Sequence, residues 1–234
     1  MLFLCWLMVA LGASPEQVEA RLTEIAPLRA QRVEANAPVM DPANIRKAAG
    51  GTIVTGLDGR RAWGVAVLDV PIGKLWAGLN DETRHPGYTP VTYSELLTGK
   101  QCESGRSVLQ FLPVPVVSDR WWIGHLRSNA ALARASGNSV RELSWKSTVD
   151  PAEVTSESGK KMISEGVPIG STRGAWFLVA IDQFSTYVEY YSNTDPGAGV
   201  PAGISSRLAV GGVKSAIEAM QKFAKEGRPV CPVF

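Results

Sequence analysis

The stretch DPGAGVPAGISSRLAVGGVKSAIEAMQKFAKEG, residues 195–227, decides the fold. Its opening Asp-Pro-Gly favours a turn, because proline presets φ and glycine accepts positive φ. Pro201 suits the first turn of a helix, where a missing N–H is not needed. Gly227, followed by Pro229, marks the end of that helix. The stretch therefore predicts a turn that leads into one long C-terminal helix.

This helix has an apolar face, and the side chains in its middle are unusually small. The apolar residues recur near helical spacing and are Ile204, Leu208, Ile217, Met220 and Phe223. The small residues are Ala209, Gly211, Gly212 and Ala216. Each glycine costs roughly 1 kcal/mol relative to alanine inside a helix. Two explanations stay open: the helix packs tightly on a sheet, or it leaves space beneath itself.

Composition places the 234-residue chain among ordinary globular proteins, with 45% hydrophobic and 20% charged residues. The formal net charge is +2, from 24 basic and 22 acidic side chains, so no nucleic acid or other polyanion is predicted as a partner. The length suits one large domain, or one domain with an appendage.

The N-terminal segment MLFLCWLMVALGA, residues 1–13, is uncharged, apolar and ends in small residues. It is too short to span a bilayer as a helix. We predict a secretory signal peptide that is cleaved near residues 12–14, and hence a secreted or periplasmic protein. The first residues lack the lysine or arginine that is usual in such a signal, and a buried N-terminal helix segment remains the alternative.

Residues 14–51 are predicted to form an N-terminal helix and a linker. Ser14-Pro15-Glu16-Gln17 has the residues of a helix start, with serine as N-cap, proline at N1 and glutamine at N3. Apolar residues continue in a partial stripe to about Ala35. Residues 36–51 are rich in helix breakers, and we expect them to be a linker.

From Thr52 onward the apolar pattern changes from helical to alternating. Ala62–Val70 is predicted to be a strand, and the segment after Pro71 a short helix. Six further strands follow at hairpin spacing: Thr89–Leu97, Gly105–Val114, Arg120–Asn129, Ser139–Lys146, Thr172–Ile181 and Ser185–Ser192. The one long loop, Ser147–Gly170, is of the kind that often forms a lid. We predict an α+β fold, in which a curved antiparallel sheet of about seven strands wraps around the C-terminal helix, with two short helices after the first strand. Such a curved sheet readily leaves an apolar cavity beneath the helix.

Four segments in this order resemble the START lipid-transfer domain of the wider helix-grip superfamily. They are VAVLDVPIGKLWAGLND (65–81), FLPVPVVSDRWWIG (111–124), the hairpin GAWFLVAI…STYVEYYSNTDPGAGVP (174–201) and the C-terminal helix itself. The pair Trp121-Trp122 departs from the family, which usually shows Asp and an aromatic there. Arg84-His85-Pro86 stands near an Arg-aromatic pattern of the family.

The resemblance implies that residues 52–234 form a START-like domain with the helix-grip fold and a hydrophobic pocket. The implied function is binding and transport of a lipid, a sterol or another hydrophobic small molecule by a monomer that contacts membranes transiently. Because the superfamily hosts carriers and enzymes alike, two alternatives stay open. One is a polyketide cyclase/aromatase-like enzyme, and the other is a binding or assembly module without a ligand.

Candidate ligand contacts are the aromatic, small and polar side chains expected to face the helix. They are Trp76, Gln110, Trp122, Leu126, Trp176, Tyr190, Ile204, Leu208, Gly211 and Gly212. Strand alternation places Trp122 and Leu126 inward, and Trp121 and Ile123 outward, where the N-terminal helix would cover them. In the last hairpin both faces are apolar, so the inward face is undecided. Candidates for a buried polar group that meets a ligand head are Gln110, Arg120 and Glu189.

Catalytic and metal-binding motifs are sparse in this sequence. His85 in a loop and His125 on a strand are expected to be structural or solvated. No cysteine and histidine spacing of a metal site is present, and no catalytic triad is visible. We therefore predict no cofactor and regard an enzymatic role as the weaker hypothesis.

Strand counting makes two predictions about the ends of the sheet. The loop 147–170 and the turn 195–200 fall at the same end and are expected to form a gate. Once Cys5 leaves with the signal, Cys102 and Cys231 remain as a pair suited to an oxidising compartment. Cys102 lies in a hairpin at the end opposite the gate, and the C-terminal helix runs back to that end. We therefore predict a Cys102–Cys231 disulfide.

Overall fold

The computed structural model describes residues 12–34, 40–115, 117–200 and 202–233, of which residues 202, 204 and 206–208 are described by their backbone only. The segment 1–11 lies outside these ranges, so the signal peptide stays a prediction.

A single nine-stranded sheet forms the centre of the fold. Its strands are β1 Val54–Asp58, β2 Arg61–Leu68, β3 Tyr93–Thr98, β4 Arg106–Leu112, β5 Arg120–Ser128, β6 Val140–Thr148, β7 Val167–Pro168, β8 Ser171–Ala180 and β9 Thr186–Asp195. The order is β1-β2-β9-β8-β6-β5-β4-β3, and all of these neighbours are antiparallel. The two-residue β7 pairs parallel with β5. The predicted antiparallel sheet is confirmed, with nine strands rather than about seven.

Six helices accompany the sheet in the described ranges. They are α1 Pro15–Glu24, α2 Pro42–Ala49, α3 Ile72–Leu79, α4 Ala130–Ala135, α5 Glu157–Glu165 and α6 Ala202–Glu226. Short 3-10 segments lie at Ala26–Gln31, Glu82–Arg84 and Pro151–Glu153. The long C-terminal helix is confirmed as α6. The α+β prediction is also confirmed, with α3 and the 3-10 turn after it standing where two short helices were expected.

Local capping chemistry explains where the N-terminal helices begin. Ser14 and Gln17 form a reciprocal capping box at the start of α1, as the sequence predicts. The predicted linker 36–51 is wrong in its second half, because Asp41 caps α2 and Pro42 occupies its first position. Aspartate followed by proline is itself a helix-start signal, and it outweighs the breakers around it.

The N-terminal helices pack on the convex face of the sheet. Val18, Leu22 and Ile25 belong to one buried cluster with Phe177 and Tyr187 of the last hairpin. Between them lies a buried polar network: Glu189 accepts hydrogen bonds from Arg29 Nη2 at 2.6 Å and from Arg32 Nη1 at 2.7 Å. The hypothesis that Glu189 faces a ligand head is therefore wrong. It lies on the opposite face from the helix, paired with the N-terminal segment.

The long segment 147–170 is not an open loop. Its middle folds into α5, and Val154 is buried beside Trp121 and Ile123 on the convex face. The prediction that the N-terminal helix covers these two residues is therefore wrong. The reason lies in the strand order: β5 is three positions from β9, on the half of the sheet that the N-terminal helices do not reach.

Helix α6 crosses the concave face and packs closely against the sheet at Gly64 of β2. A Cβ built there would lie 2.5 Å from Val213 Cγ1 and 2.9 Å from Ile217 Cδ1. A Cβ at Gly211 or Gly212 would meet nothing within 4 Å. Gly211 and Gly212 therefore do not serve tight packing, for which the strand glycine is used, and both border the cavity between the sheet and α6.

The predicted disulfide is confirmed. A disulfide joins Cys102 to Cys231, which lie 129 positions apart in the sequence, and their Cα atoms are 5.4 Å apart. The bond attaches the C-terminal segment that follows α6 to the hairpin between β3 and β4. Within the described ranges, no helix combines the length and the apolar character that a membrane crossing requires.

Candidate functional site

A cavity of about 590 Å³ lies between the concave face of the sheet and α6. This volume is in the range of sites for small molecules. Strands β4, β5, β6, β8 and β9 form one wall, and α6 forms the opposite wall. Turns at residues 89–91, 113–115 and 196–200 frame one end, which we call the mouth, while α3 and the 3-10 turn after it frame the other end, which we call the closed end.

The wall contributed by the sheet is aromatic at its centre. The Tyr190 ring lies 4.2 Å from the Trp176 ring and 5.6 Å from the Trp145 ring, with interplanar angles of 35° and 23°. Trp122 of β5 also lines the cavity. The four rings come from four strands and all border the same cavity. We call Trp122, Trp145, Trp176 and Tyr190 the aromatic wall.

Gly174 allows Trp145 to reach this cluster. Trp145 on β6 faces Gly174 on β8, and a Cβ at Gly174 would lie 2.4 Å from Trp145 Cζ2. The indole therefore crosses over β8 at the one residue that has no side chain there. It ends beside Tyr190 on β9, two strands away from its own backbone.

The wall contributed by α6 consists mostly of small side chains. Ser205, Ala209, Gly212 and Ala216 follow one another at three- or four-residue spacing and all line the cavity, while Met220 is a larger residue of this wall. Val213 borders the cavity and also packs, together with Ile217, over Gly64. The helix thus packs on the sheet along β2, and the cavity lies between the helix and the aromatic wall.

Three hydroxyl groups form a polar patch beside the aromatic wall. Thr194 Oγ1 lies 2.7 Å from Thr172 Oγ1 and 2.8 Å from Ser192 Oγ. Trp145 Nε1 donates to Thr172 Oγ1 at 3.4 Å. We call Thr172, Ser192 and Thr194 the hydroxyl cluster. Each of its hydroxyls can donate or accept, so the cluster can pair with an alcohol or a carbonyl oxygen.

Tyr190 connects the aromatic wall to the hydroxyl cluster. Burial raises the pKa of Tyr190 to about 12, although its hydrogen bond with Ser192 opposes the shift. The phenol is therefore neutral at physiological pH and offers a polar group without a charge.

The closed end of the cavity contains a buried ion pair. Glu82 accepts from Arg106 Nε at 3.0 Å, and Arg106 Nη2 also donates to Asn80 Oδ1 at 3.1 Å. His85 lines the same end, with its Nε2 3.1 Å from the Gly78 carbonyl oxygen. Burial lowers the pKa of His85, despite the opposing charge of Glu82, so the imidazole is neutral at physiological pH.

The mouth is held together by Arg120. Its guanidinium donates to the Pro196 and Ala198 carbonyls at 2.8 and 3.1 Å, and also to the Ser118 carbonyl. The hypothesis that Arg120 meets a ligand head is thus not supported by its contacts, which are with the turn at 196–198. Gly170 N donates to the Asp195 carbonyl at 2.9 Å, so the end of the long segment meets this turn. Only this end reaches the mouth, because α5 lies on the convex face.

The structure brings together most of the predicted ligand contacts. The residues that line the cavity are Gln110, Trp122, Leu126, Trp176, Tyr190, Gly211 and Gly212. Trp76 does not line it, because its ring is buried in the core next to the Arg141 guanidinium, 5.1 Å away. The side chains of Ile204 and Leu208 lie outside the described part of the chain.

Sequence reasoning missed several residues of the site. Those absent from the predicted set are Trp145, Thr172, Ser192, Thr194, Glu82 and His85. Strand alternation along residues 139–146 could have placed Trp145 with Leu143 on one face, and a tryptophan in that pattern was a usable signal. Alternation along β9 places Ser192 and Thr194 on one face, but only the pairing of β8 with β9 brings Thr172 to them.

A serine, a histidine and a carboxylate also meet on the convex face. Ser107 Oγ lies 2.8 Å from His125 Nδ1, and His125 Nε2 lies 3.6 Å from Glu153 Oε2. Ser107 is 5% exposed, and none of the three borders the cavity. A nucleophile needs access to its substrate, so this group fits a structural role in holding segment 149–154 to the sheet. Among the described residues, no group of His, Cys, Asp and Glu could hold a metal ion.

No protein-family model matches the sequence, and no curated protein matches it either. Solved structures do match the fold. A STAR-related lipid transfer protein from Xanthomonas axonopodis is 18% identical with a TM-score of 0.57, and the match covers 74% of this chain and 99% of that chain. The Zhui aromatase/cyclase from Streptomyces is 15% identical with a TM-score of 0.50, over 70% and 93% of the two chains. Human STARD10 is 13% identical with a TM-score of 0.52, over 84% and 85%. The chain therefore has the helix-grip fold that START lipid-transfer proteins share with polyketide aromatase/cyclases.

Proposed function

We propose that the protein binds a hydrophobic small molecule in the cavity between the sheet and α6, and carries it. The observation that supports this most directly is the cavity itself: about 590 Å³, lined largely by apolar side chains. A space of this size costs stability, because its lining atoms lose packing partners when it is empty. A bound apolar molecule would restore those contacts.

The cavity-lining residues Gln110, Trp122, Leu126, Trp176, Tyr190, Gly211 and Gly212 are the proposed ligand contacts. We propose that Arg120 and the turn at 196–198 form one side of the gate through which the ligand passes. Transient contact of this mouth with a donor or acceptor membrane, by a monomer, completes the proposed carrier.

We also propose that the carrier works outside the cytoplasm. The Cys102–Cys231 disulfide supports an oxidising compartment, because such bonds rarely persist in a reducing cytosol. The proposed division into a signal peptide at 1–13, an N-terminal segment at 14–51 and a START-like domain at 52–234 is consistent with export.

Native mass spectrometry of the protein purified from its own host tests the carrier. We expect a complex with one small molecule that organic solvent extracts. A protein that is free of ligand, and that also fails to bind an apolar fluorescent dye, would contradict the proposal.

A cyclase- or aromatase-like activity is the second candidate, and His85 is the observation that favours it. Its neutral imidazole borders the closed end of the cavity, where it could accept a proton from a bound substrate. Replacement of His85 by Asn should then abolish turnover of a ligand without abolishing its binding. Recovery of a chemically unchanged ligand after long incubation would argue for the carrier instead.

A further inference from the structure

The cavity has the size of a site for one small molecule. Its volume of about 590 Å³ lies within the roughly 300–1,000 Å³ of sites that enclose a drug-sized ligand. A lipid with two long acyl chains is larger than such a ligand, so a compact molecule fits the space better.

The aromatic wall favours flat molecules over flexible ones. The Tyr190 ring contacts both the Trp145 and the Trp176 rings, and Trp145 and Tyr190 are only partly buried. Aromatic rings in offset or tilted contact contribute about 0.5–1.5 kcal/mol beyond the area that they bury. An acyl chain gains only the free energy of burying its apolar surface, and it also loses conformational freedom when it is bound.

The polar groups inside the cavity favour a neutral ligand with an oxygen atom. Glu82 is already paired with Arg106, and the described hydrogen bonds of Arg120 all go to backbone carbonyls. The hydroxyl cluster stands beside the aromatic wall, and Trp145 Nε1 of that wall donates a hydrogen bond to Thr172 Oγ1 of the cluster. A hydroxyl or carbonyl oxygen on the ligand can join this cluster without bringing a charge into the cavity.

From size, shape and polarity together, we infer that the ligand is a neutral, planar polycyclic molecule of drug-like size. It stacks on Trp145 and Tyr190 and places a hydroxyl or carbonyl oxygen at the hydroxyl cluster. This inference rests on the proposed function, since it specifies which class of hydrophobic molecule the carrier takes.

Three probes of similar size separate the features of this ligand. Hydroxypyrene is planar and carries a hydroxyl, pyrene is planar without one, and hexadecanol is a flexible chain with one. Their affinities for the full-length disulfide-bonded protein can be measured by competition against one apolar fluorescent dye. We expect hydroxypyrene to bind at least about tenfold more tightly than hexadecanol and severalfold more tightly than pyrene.

Two variants link the preference to named residues. Trp145→Leu should weaken hydroxypyrene binding about two- to tenfold and leave hexadecanol nearly unchanged. Ser192→Ala, which removes a single hydroxyl, should weaken hydroxypyrene about two- to tenfold and leave pyrene unchanged. Circular dichroism and thermal unfolding confirm the folded state of each variant, and Ser192→Ala serves alone if Trp145→Leu does not fold.

The possible results test the planar ligand separately from the proposed carrier function. Hexadecanol binding as tightly as hydroxypyrene, or hydroxypyrene affinity unchanged in every folded variant, would overturn the planar ligand and leave the carrier intact. Failure of all three probes and of the dye to bind would overturn the carrier and the inference together.

Discussion

Gly64 of β2 lies directly beneath Val213 of α6, and a Cβ at position 64 would stand 2.5 Å from Val213 Cγ1. The missing side chain lets the long helix pack closely on β2. The cavity lies beside this contact, between α6 and the aromatic wall on β5, β6, β8 and β9. A strand glycine therefore contributes to where the helix rests and to where the cavity lies.

Filling the Gly64 contact should destabilise the fold. Gly64→Val forces the Val213 and Ile217 side chains to move, and overpacking of this kind costs roughly 1–3 kcal/mol. Gly211→Ala is the matched control, since a Cβ there meets nothing within 4 Å and alanine favours the helix by about 1 kcal/mol. The free energies of unfolding of the two variants are compared by urea denaturation. Equal stability of Gly64→Val and the native protein would show that the helix can shift freely.

Filling the open side of the helix should block binding instead. Gly212→Leu places a large side chain in the cavity at a position with free space, so ligand affinity should fall at least tenfold while the unfolding midpoint changes little. Dye binding and thermal unfolding are measured on the same samples. Lys214→Leu, on the exposed side of α6, is the control and should bind normally. Unimpaired binding by folded Gly212→Leu would remove this position from the site.

Reduction of the disulfide should lower stability substantially. The bond closes a loop across 129 positions, and chain entropy gives an upper value of ~5 kcal/mol for its contribution. Unfolding with and without reductant measures the difference. The double variant Cys102→Ser, Cys231→Ser should match the reduced protein and show no further response to reductant. A response of the double variant would assign the effect to another cause.

Acid should destabilise the junction between the N-terminal segment and the sheet. Burial by itself would raise the pKa of Glu189, but Arg32 and Arg29 outweigh it, and the pKa is lowered. A lowered folded-state pKa means that this stabilisation is fully present above the unfolded value of about 4.3 and is lost as the pH falls through the folded value.

Glu189→Gln tests this acid response. At neutral pH the variant should be less stable by roughly 3–5 kcal/mol, because Arg29 and Arg32 lose their buried partner. Its unfolding free energy should then depend less on pH below about 5 than that of the native protein. Glu157→Gln, on an exposed carboxylate, is the control. An acid response of Glu189→Gln as steep as that of the native protein would place the titrating group elsewhere.

Loosening Arg120 should open the mouth. Arg120→Lys cannot hold the Pro196 and Ala198 carbonyls together, because an ammonium lacks the planar fork of donors. Hydrogen exchange should become faster at the Gly170 amide, which bonds the Asp195 carbonyl, and ligand should dissociate sooner. Arg173→Lys, an exposed position on β8, should exchange as the native protein does. Unchanged exchange at Gly170 in Arg120→Lys would mean that the clamp does not hold the mouth.

Local signals in the sequence predict the ends and faces of many elements. The capping box at Ser14 sets the start of α1, and the Asp-Pro-Gly turn at 195–197 leads into α6. The inward face of β5 follows from alternation, because His125 and Arg127 make the other face polar. The cysteine pair follows from strand counting, since a hairpin and a helix end can be assigned to the same edge without any coordinates.

Alternation alone could not orient the last hairpin. Both faces of β8 and β9 are apolar because both are buried, one under α6 and one under the N-terminal helices. For the same reason Glu189 was not separable from a cavity residue, as its partners Arg29 and Arg32 lie about 160 positions earlier in the chain. Alternation along one strand contains no information about which distant side chains pair with it.

What the sequence by itself determined is the main strands, the first helix and the long last helix, in their order, since caps, turns and alternation act between neighbours in the chain. Only the tertiary structure decided which side chains share the cavity. Trp145 reaches Tyr190 by crossing Gly174 on a third strand, and the hydroxyl cluster forms across the pairing of β8 with β9. These contacts depend on register and on the absence of a side chain at one position. Both take effect only when the strands are assembled, because a side chain's partners across a sheet are set by strand pairing and not by position in the sequence.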